Sequence, residues 1–375
     1  MCVLMSFTRT FWSLALLLLG LVSLGCVSVS PEEQARRNRV LTQLQSGSAS
    51  LRNGQYEAAK SDLDQALLQI GAPSSGDASA RQSRGYFNQE SVKTFRGEPY
   101  ERVMAYYYRG ILYWMDGQPD NARAAFRSAA VQDQNPELGI NQSDWVLLDY
   151  LDGLATTKLG GDGSDAYKRS VKEARLNPPP DYNKKANVLV FLEMGQGPSK
   201  YSSGEYGEEL RFSAGTAPDP VAVLKVGQQK VKVGAYDDLT YQATTRGGRV
   251  MDHILQGKAV FKSATDTFGT GALIGGAGVL IAGNSRTSQN VGLGLVAAGV
   301  ISKIVSAATT PAADTRQWGN LPNLLSFAAL QLPAGTHDLN VEFQDTYGNV
   351  RVTRHVRFEV VPGRDSVLFV SDRNN

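Results

Sequence analysis

Residues 105–136 read AYYYRGILYWMDGQPDNARAAFRSAAVQDQNP, and the order of small and large side chains here decides the first half of the fold. Ala105, Gly110, Tyr113, Gly117, Ala122, Phe126 and Ala129 mark two antiparallel helices joined by a turn at Gly117. Small residues at Gly110, Ala122 and Ala129 let the two backbones approach, and Tyr113 and Phe126 fill the space between them. Pro119 suits the first turn of the second helix, where its missing N–H has no partner to lose.

The spacing Gly110-x2-Tyr113 followed by Ala122-x3-Phe126-x2-Ala129 resembles the tetratricopeptide repeat. Pro119 stands where the repeat usually has Tyr, and Pro136 lies near its terminal proline. A second copy is read upstream at Gly54-Gln55-Tyr56-Glu57-Ala58-Ala59, with Ala59, Leu63 and Ala66 in the roles of Ala122, Phe126 and Ala129. A third covers Trp145–Leu176, where Leu148, Leu151, Gly153, Leu154, Ala166 and Ala174 keep the apolar rhythm across a Gly-rich turn. Three stacked units are about the minimum that can bury their faces.

Adjacent helical side chains diverge by about 100°, so Tyr106, Tyr107 and Tyr108 cannot all enter one core. The repeat resemblance implies peptide binding on the concave face of the first helices, which makes Glu98, Tyr107 and Arg109 candidate partner-binding residues. The alternative is that Phe95, Pro99 and Tyr100 cap the array and the tyrosines pack beneath them.

Pro178-Pro179-Pro180 ends the helical half. Beyond it, strands are expected near 187–193, 221–226, 230–233, 325–332, 337–343, 350–360 and 366–370, separated by turn residues such as Pro333-Ala334-Gly335 and Pro362-Gly363. Short strands with breaker-rich turns favour an antiparallel β-sandwich-like domain. Within it, residues 268–310 form a Gly-rich apolar segment broken by a polar turn at 284–290, expected as a helical hairpin. Its glycine spacing suits close helix contact, either inside protein or against a membrane. Arg316 and Trp318 follow as further candidate partner-binding residues, with packing of Trp318 against the β-core as the alternative.

At the N-terminus, Arg9 precedes the apolar run Phe11–Val22 and the sequence Ser23-Leu24-Gly25-Cys26. This resembles a bacterial lipoprotein signal, with Ser23 in place of the more usual Leu, and it implies a covalent lipid on Cys26. An ordinary signal peptide cut near Gly25 is the alternative. Cys2 leaves with the signal, so Cys26 is the one cysteine beyond it, and neither an intrachain disulfide nor a thiolate metal cluster can form there. The absence of Asp after Cys26 implies, by resemblance to proteobacterial lipoproteins, outer-membrane anchoring facing the periplasm, with the inner membrane as alternative.

The expected organisation is α+β multidomain: signal 1–25, tether 26–38, tetratricopeptide-like helical solenoid 39–177, Pro-rich linker 178–186, β-rich domain 187–267 and 311–375, and inserted hairpin 268–310. With 38 basic and 36 acidic residues, the charge balance argues against a protein built to hold nucleic acid. With 42% apolar and 20% charged residues, the chain is not disordered overall. His253, His337 and His355 are the only histidines and lack metal-ligand spacing, although His337 and His355 could meet across strands. No phosphate loop or nucleophile elbow appears, so no cofactor beyond the lipid is expected and nothing calls for an enzyme. As a whole the chain resembles a family of proteobacterial tetratricopeptide-containing envelope lipoproteins. That resemblance implies a non-catalytic scaffold for an envelope protein partner. The alternatives are a regulator of peptidoglycan synthesis and a structural or secretion-associated homo-oligomer assembled through the hairpin.

Overall fold

The computed structural model describes residues 30–71, 90–134, 143–245 and 311–373, together with Arg84 and scattered positions between 259 and 309. The signal region, Cys26 and the centre of the Gly-rich segment at 271–294 lie outside the described residues.

The chain is a mixed α+β protein. Its helical part opens with α1 (Pro31–Arg52), which starts inside the expected 26–38 tether. The reason is local: Ser30 Oγ accepts from Glu33 N at 3.2 Å, Pro31 occupies the first turn, and Glu32 and Glu33 face the positive end of the helix dipole. Helix α2 (Tyr56–Ile70) returns through a turn at Gly54, whose φ of 72° favours glycine. The next pair is α3 (Pro99–Met115) and α4 (Pro119–Asp133), followed by α5 (Val146–Lys158) and α6 (Ser164–Glu173).

Packing within each pair follows the size pattern. Ala122, Phe126 and Ala129 are fully buried, and a Cβ on Gly110 would lie 2.5 Å from Phe126 Cε1. The same device holds the first pair, where a Cβ on Gly47 would lie 3.0 Å from Leu63 Cγ. In the third pair Gly153 meets Gly163, and Tyr182 from the Pro-rich stretch sits over it. Tyr182 donates to Tyr150 O at 3.0 Å, so residues 178–186 are docked on α5.

The strand part holds two four-stranded sheets and a hairpin. The first sheet has the order β10-β1-β7-β6, from β10 (Ser366–Ser371), β1 (Val188–Met194), β7 (Leu324–Leu330) and β6 (Asp237–Asp238). The second has the order β5-β4-β8-β9, from β5 (Gln229–Gly234), β4 (Val221–Val226), β8 (Gly335–Gln344) and β9 (Val350–Val360). Strands β2 (Ser199–Ser203) and β3 (Glu209–Ser213) pair separately, and a short helix α7 (Leu239–Thr245) follows β6.

One pairing departs from the expected antiparallel arrangement: β1 and β10 run parallel, Val188 opposite Ser366 through Glu193 opposite Ser371. A parallel pair needs a long crossover, and here everything between the two strands provides it.

Every residue of β1 is buried, because the strand is covered on both faces. Phe191 and its neighbour Phe327, ring centroids 5.0 Å apart, face the helices, where Phe191 meets Tyr107 and Trp114. On the opposite face Ser326, across from Leu192, donates to Gly234 O of β5. Leu339, Val341 and Phe343 are the buried side of β8 in the second sheet, and Thr353, His355 and Arg357 on β9 are exposed. The order is therefore helices, first sheet, second sheet.

At the base of the insertion, Lys262 Nζ donates to Ser306 O at 2.5 Å and Lys303 Nζ to Asp266 at 2.5 Å, so the two ends of the Gly-rich segment lie side by side.

Candidate functional site

The inner face of the helical array is filled by the chain itself. The segment 311–323, between the insertion and β7, crosses α1 and α3 and hydrogen-bonds to both. Trp318 N donates to Glu101 Oε1 at 2.7 Å, its indole Nε1 donates to Ser48 Oγ at 3.2 Å, and its ring meets Tyr108 edge-on at 5.9 Å. Asn320 donates to Gln45 O at 3.0 Å and accepts from Ser48 Oγ at 3.0 Å. Arg316 is held by Asp314, by Asn38 Oδ1 at 2.8 Å and by Lys93 O at 2.8 Å. Burial raises the Asp314 carboxyl, but its bonds to Arg316 outweigh that and keep it below the usual carboxylate range.

Glu101 is the centre of this seam. It is fully buried, closes the capping box of α3 by accepting from Glu98 N at 2.7 Å, and takes the ammonium of Lys200 at 2.6 Å. Lys200 also donates to Arg316 O at 3.0 Å, so one carboxylate joins α3, β2 and the 311–323 segment.

A second buried ion pair lies beside it. Glu193 on β1 accepts from Arg52 of α1 through both oxygens and from Tyr108 Oη at 2.7 Å. Burial alone would raise this carboxyl, yet Arg52 and the hydrogen bonds hold it below its ordinary value. The Glu193 side chain has no exposure and that of Arg52 is 2% exposed, so no substrate reaches them and their role is to fasten helix to sheet.

These contacts reassign most of the expected binding residues. Tyr107 is buried among Tyr108, Phe126 and Phe191, and Trp318 is buried in the seam, so neither side chain is open to solvent. Both lie on the inner face, which is where a repeat-type groove would be, but the first sheet and the 311–323 segment occupy it. Glu98 caps α3. Arg316 is tied within its own chain. Phe95 and Tyr100 are buried in the same seam, in line with the packing alternative. His337 lies beside Phe358 and His355 bonds Asn340 on the other face of the sheet, so the two histidines do not meet.

Arg109 alone lines an open cleft, about 470 Å³, on the outer side where α2, α3 and α4 meet. Its Nε and Nη2 bind Asp64 at 2.7 and 3.2 Å, and its guanidinium lies 3.6 Å over the Tyr113 ring. Tyr113 therefore forms the cleft wall, leaving Phe126 to fill the helix pair. Arg109 is more than nine-tenths buried, and its Nη1 has no partner among the described residues. Leu68, at 74% exposure, stands at the rim. An apolar, aromatic cleft beside one N–H without a partner, on a guanidinium whose charge Asp64 already matches, suits a side chain that brings an acceptor oxygen. The sequence pattern holds no sign of Asp64 or Leu68, because the three helices that meet there come from two helix pairs far apart in the chain.

Among the described residues no group of His, Cys, Asp and Glu could hold a metal ion, and no helix is long and apolar enough to cross a membrane. The chain matches no protein-family profile, no curated protein and no solved structure.

Proposed function

We propose that this protein is a non-catalytic interaction scaffold of the cell envelope, anchored by a lipid on Cys26. In this reading α1 to α6 are a tetratricopeptide-like solenoid, the two sheets are its β-sandwich-like module, and a protein partner docks in the outer cleft. The observation that carries it is the contrast between the two sides of the helical array. The inner side is filled by residues 311–323, whereas the outer side keeps an apolar cleft around Arg109 with an unsatisfied N–H. The test places a photo-crosslinking residue at Leu68 and, as a control, at the exposed Val171 of α6 in the full chain in cells. A discrete crosslinked protein at Leu68 that disappears with Arg109→Ala supports the reading; identical products at both positions refute it. Anchoring is tested separately by incorporation of labelled palmitate, which Cys26→Ala should abolish.

The juxtaposition of Lys262 with Ser306 and of Lys303 with Asp266 favours a second reading, in which the paired ends present the Gly-rich segment for self-assembly. Deleting residues 269–309 should then reduce the mass seen by light scattering to that of one chain.

A further inference from the structure

A second cleft, about 450 Å³, opens where the α3–α4 turn, the end of α5, the Pro-rich stretch and the β9–β10 turn converge. Its floor is electrically balanced. Asp365 accepts from Lys158 Nζ at 2.7 Å and from Trp114 Nε1 at 3.0 Å, and Lys158 also donates to Ala186 O at 2.6 Å. The remaining charges around the cleft are all positive: Lys184, Lys185 and Arg364. Arg364 is fixed by one hydrogen bond to Met115 O at 2.7 Å and lies against Gly117, where a Cβ would stand 3.6 Å from its Nε. Lys184 and Lys185 are exposed, and their ammonium groups have no hydrogen bond or ion pair among the described residues. Asp162, an exposed acid that accepts from Ser164 N at 2.9 Å, lies near enough to Lys184 to feel its charge.

Three cations around one cleft, in a chain whose formal net charge is only +2, are a local concentration of charge that overall composition does not produce. The single carboxylate in the lining is already matched by Lys158, so the lining itself carries a net positive charge. A guanidinium with free donors beside two flexible ammonium groups offers several N–H groups to one centre, which suits an anion with several acceptor oxygens. We infer that this cleft binds a phosphate group, free or carried on a lipid headgroup, with Arg364 as the fixed donor and Lys184 and Lys185 closing over it. The site is separate from the Arg109 cleft and does not depend on it.

The test titrates the full chain, carrying Cys26→Ser so that no acyl group contributes, with inorganic phosphate by calorimetry. A parallel arm measures co-sedimentation with phosphatidylcholine vesicles with and without phosphatidic acid. The site variant is Lys184→Gln/Lys185→Gln, which leaves the Arg364 contact intact, and a second variant adds Arg364→Gln. The control is Lys230→Gln/Lys232→Gln, which removes two exposed cations from β5. The expected result is saturable binding in at least one arm, weakened tenfold or more by the site variants and unchanged in the control, with all melting temperatures alike. Saturation by phosphate identifies the free anion as ligand; binding only to vesicles with phosphatidic acid identifies the headgroup. The inference is overturned by equal losses in the site and control variants, or by no saturation below about 10 mM in either arm.

Discussion

Replacing Glu101 tests whether the seam between helices and sheets is held by one buried carboxylate. In Glu101→Gln the amide keeps one acceptor oxygen, so Trp318 N or Glu98 N stays bonded, but the Lys200 ammonium, whose side chain is 1% exposed, loses its counter-charge. Breaking a buried pair by removing one partner costs about 3–5 kcal/mol. The retained acceptor and the Lys200 bond to Arg316 O place this variant near the lower end, about 3 kcal/mol, or roughly two decades in the folding constant. Lys200→Met leaves the carboxylate with its two backbone donors and should cost less, about 1–3 kcal/mol. The double variant Glu101→Gln/Lys200→Met carries no buried charge at this point and should be more stable than the two single losses predict, with a coupling of about 2 kcal/mol. Urea denaturation followed by tryptophan fluorescence reads the total. Hydrogen exchange at Trp318 N and Glu98 N reads the seam directly, and both amides should exchange faster in the Glu101→Gln chain. Additive losses, with coupling below about 0.5 kcal/mol, would sink the argument that this pair fastens the two parts together.

Asp237 reaches from β6 to the start of α5, accepting from Val146 N at 2.8 Å and Leu147 N at 2.9 Å. Burial pushes its carboxyl up to about 7 despite those bonds, so between about pH 4 and 7 the folded chain holds a proton that the unfolded chain has released. Its contribution to stability therefore falls as pH rises through that window, by up to about 4 kcal/mol, and levels off above 7. The difference between wild type and Asp237→Asn across a pH series should show this slope. Gly110→Ala drives a methyl into Phe126 and should cost about 1–3 kcal/mol, seen as a lower melting temperature that Phe126→Leu partly restores. Trp318→Ala empties the seam, and a loss of about 3–5 kcal/mol should accompany new protease cleavage between 311 and 323.

The helix pairs were legible because their signals are local: a glycine facing a large residue, prolines at first turns, and a strand-rich half after three prolines. The path of the chain between the halves was not. Tyr107 and Trp318 look like binding residues when each is read alone, since an aromatic beside a basic residue marks an interface, and only the fold shows that the interface is internal. Gly47 went unread because the tail of α1 carries too few apolar residues to reveal its register, although it faces Leu63 as Gly110 faces Phe126. Ser30-Pro31-Glu32-Glu33 is a helix-start signal, but it falls just after Cys26, where a lipid anchor implies an extended tether. The parallel direction of β10 has no local signature, since direction is set by where the chain arrives.

The position of β1 has a consequence for how the protein is made. Its two neighbours, β7 and β10, are both far downstream, with Val188 opposite Leu330 on one side and Ser366 on the other. A strand buried on both faces has no stable place until both neighbours exist. The first sheet therefore cannot close until Ser366–Ser371 are available. Contacts this distant in sequence carry a large loop-closure cost and fold slowly. During that interval the apolar run Val188–Met194 and the inner faces of α1 and α3 are uncovered together. A chain cut shortly before Ser366 should for this reason be aggregation-prone as a whole, even though every helix it contains is intact.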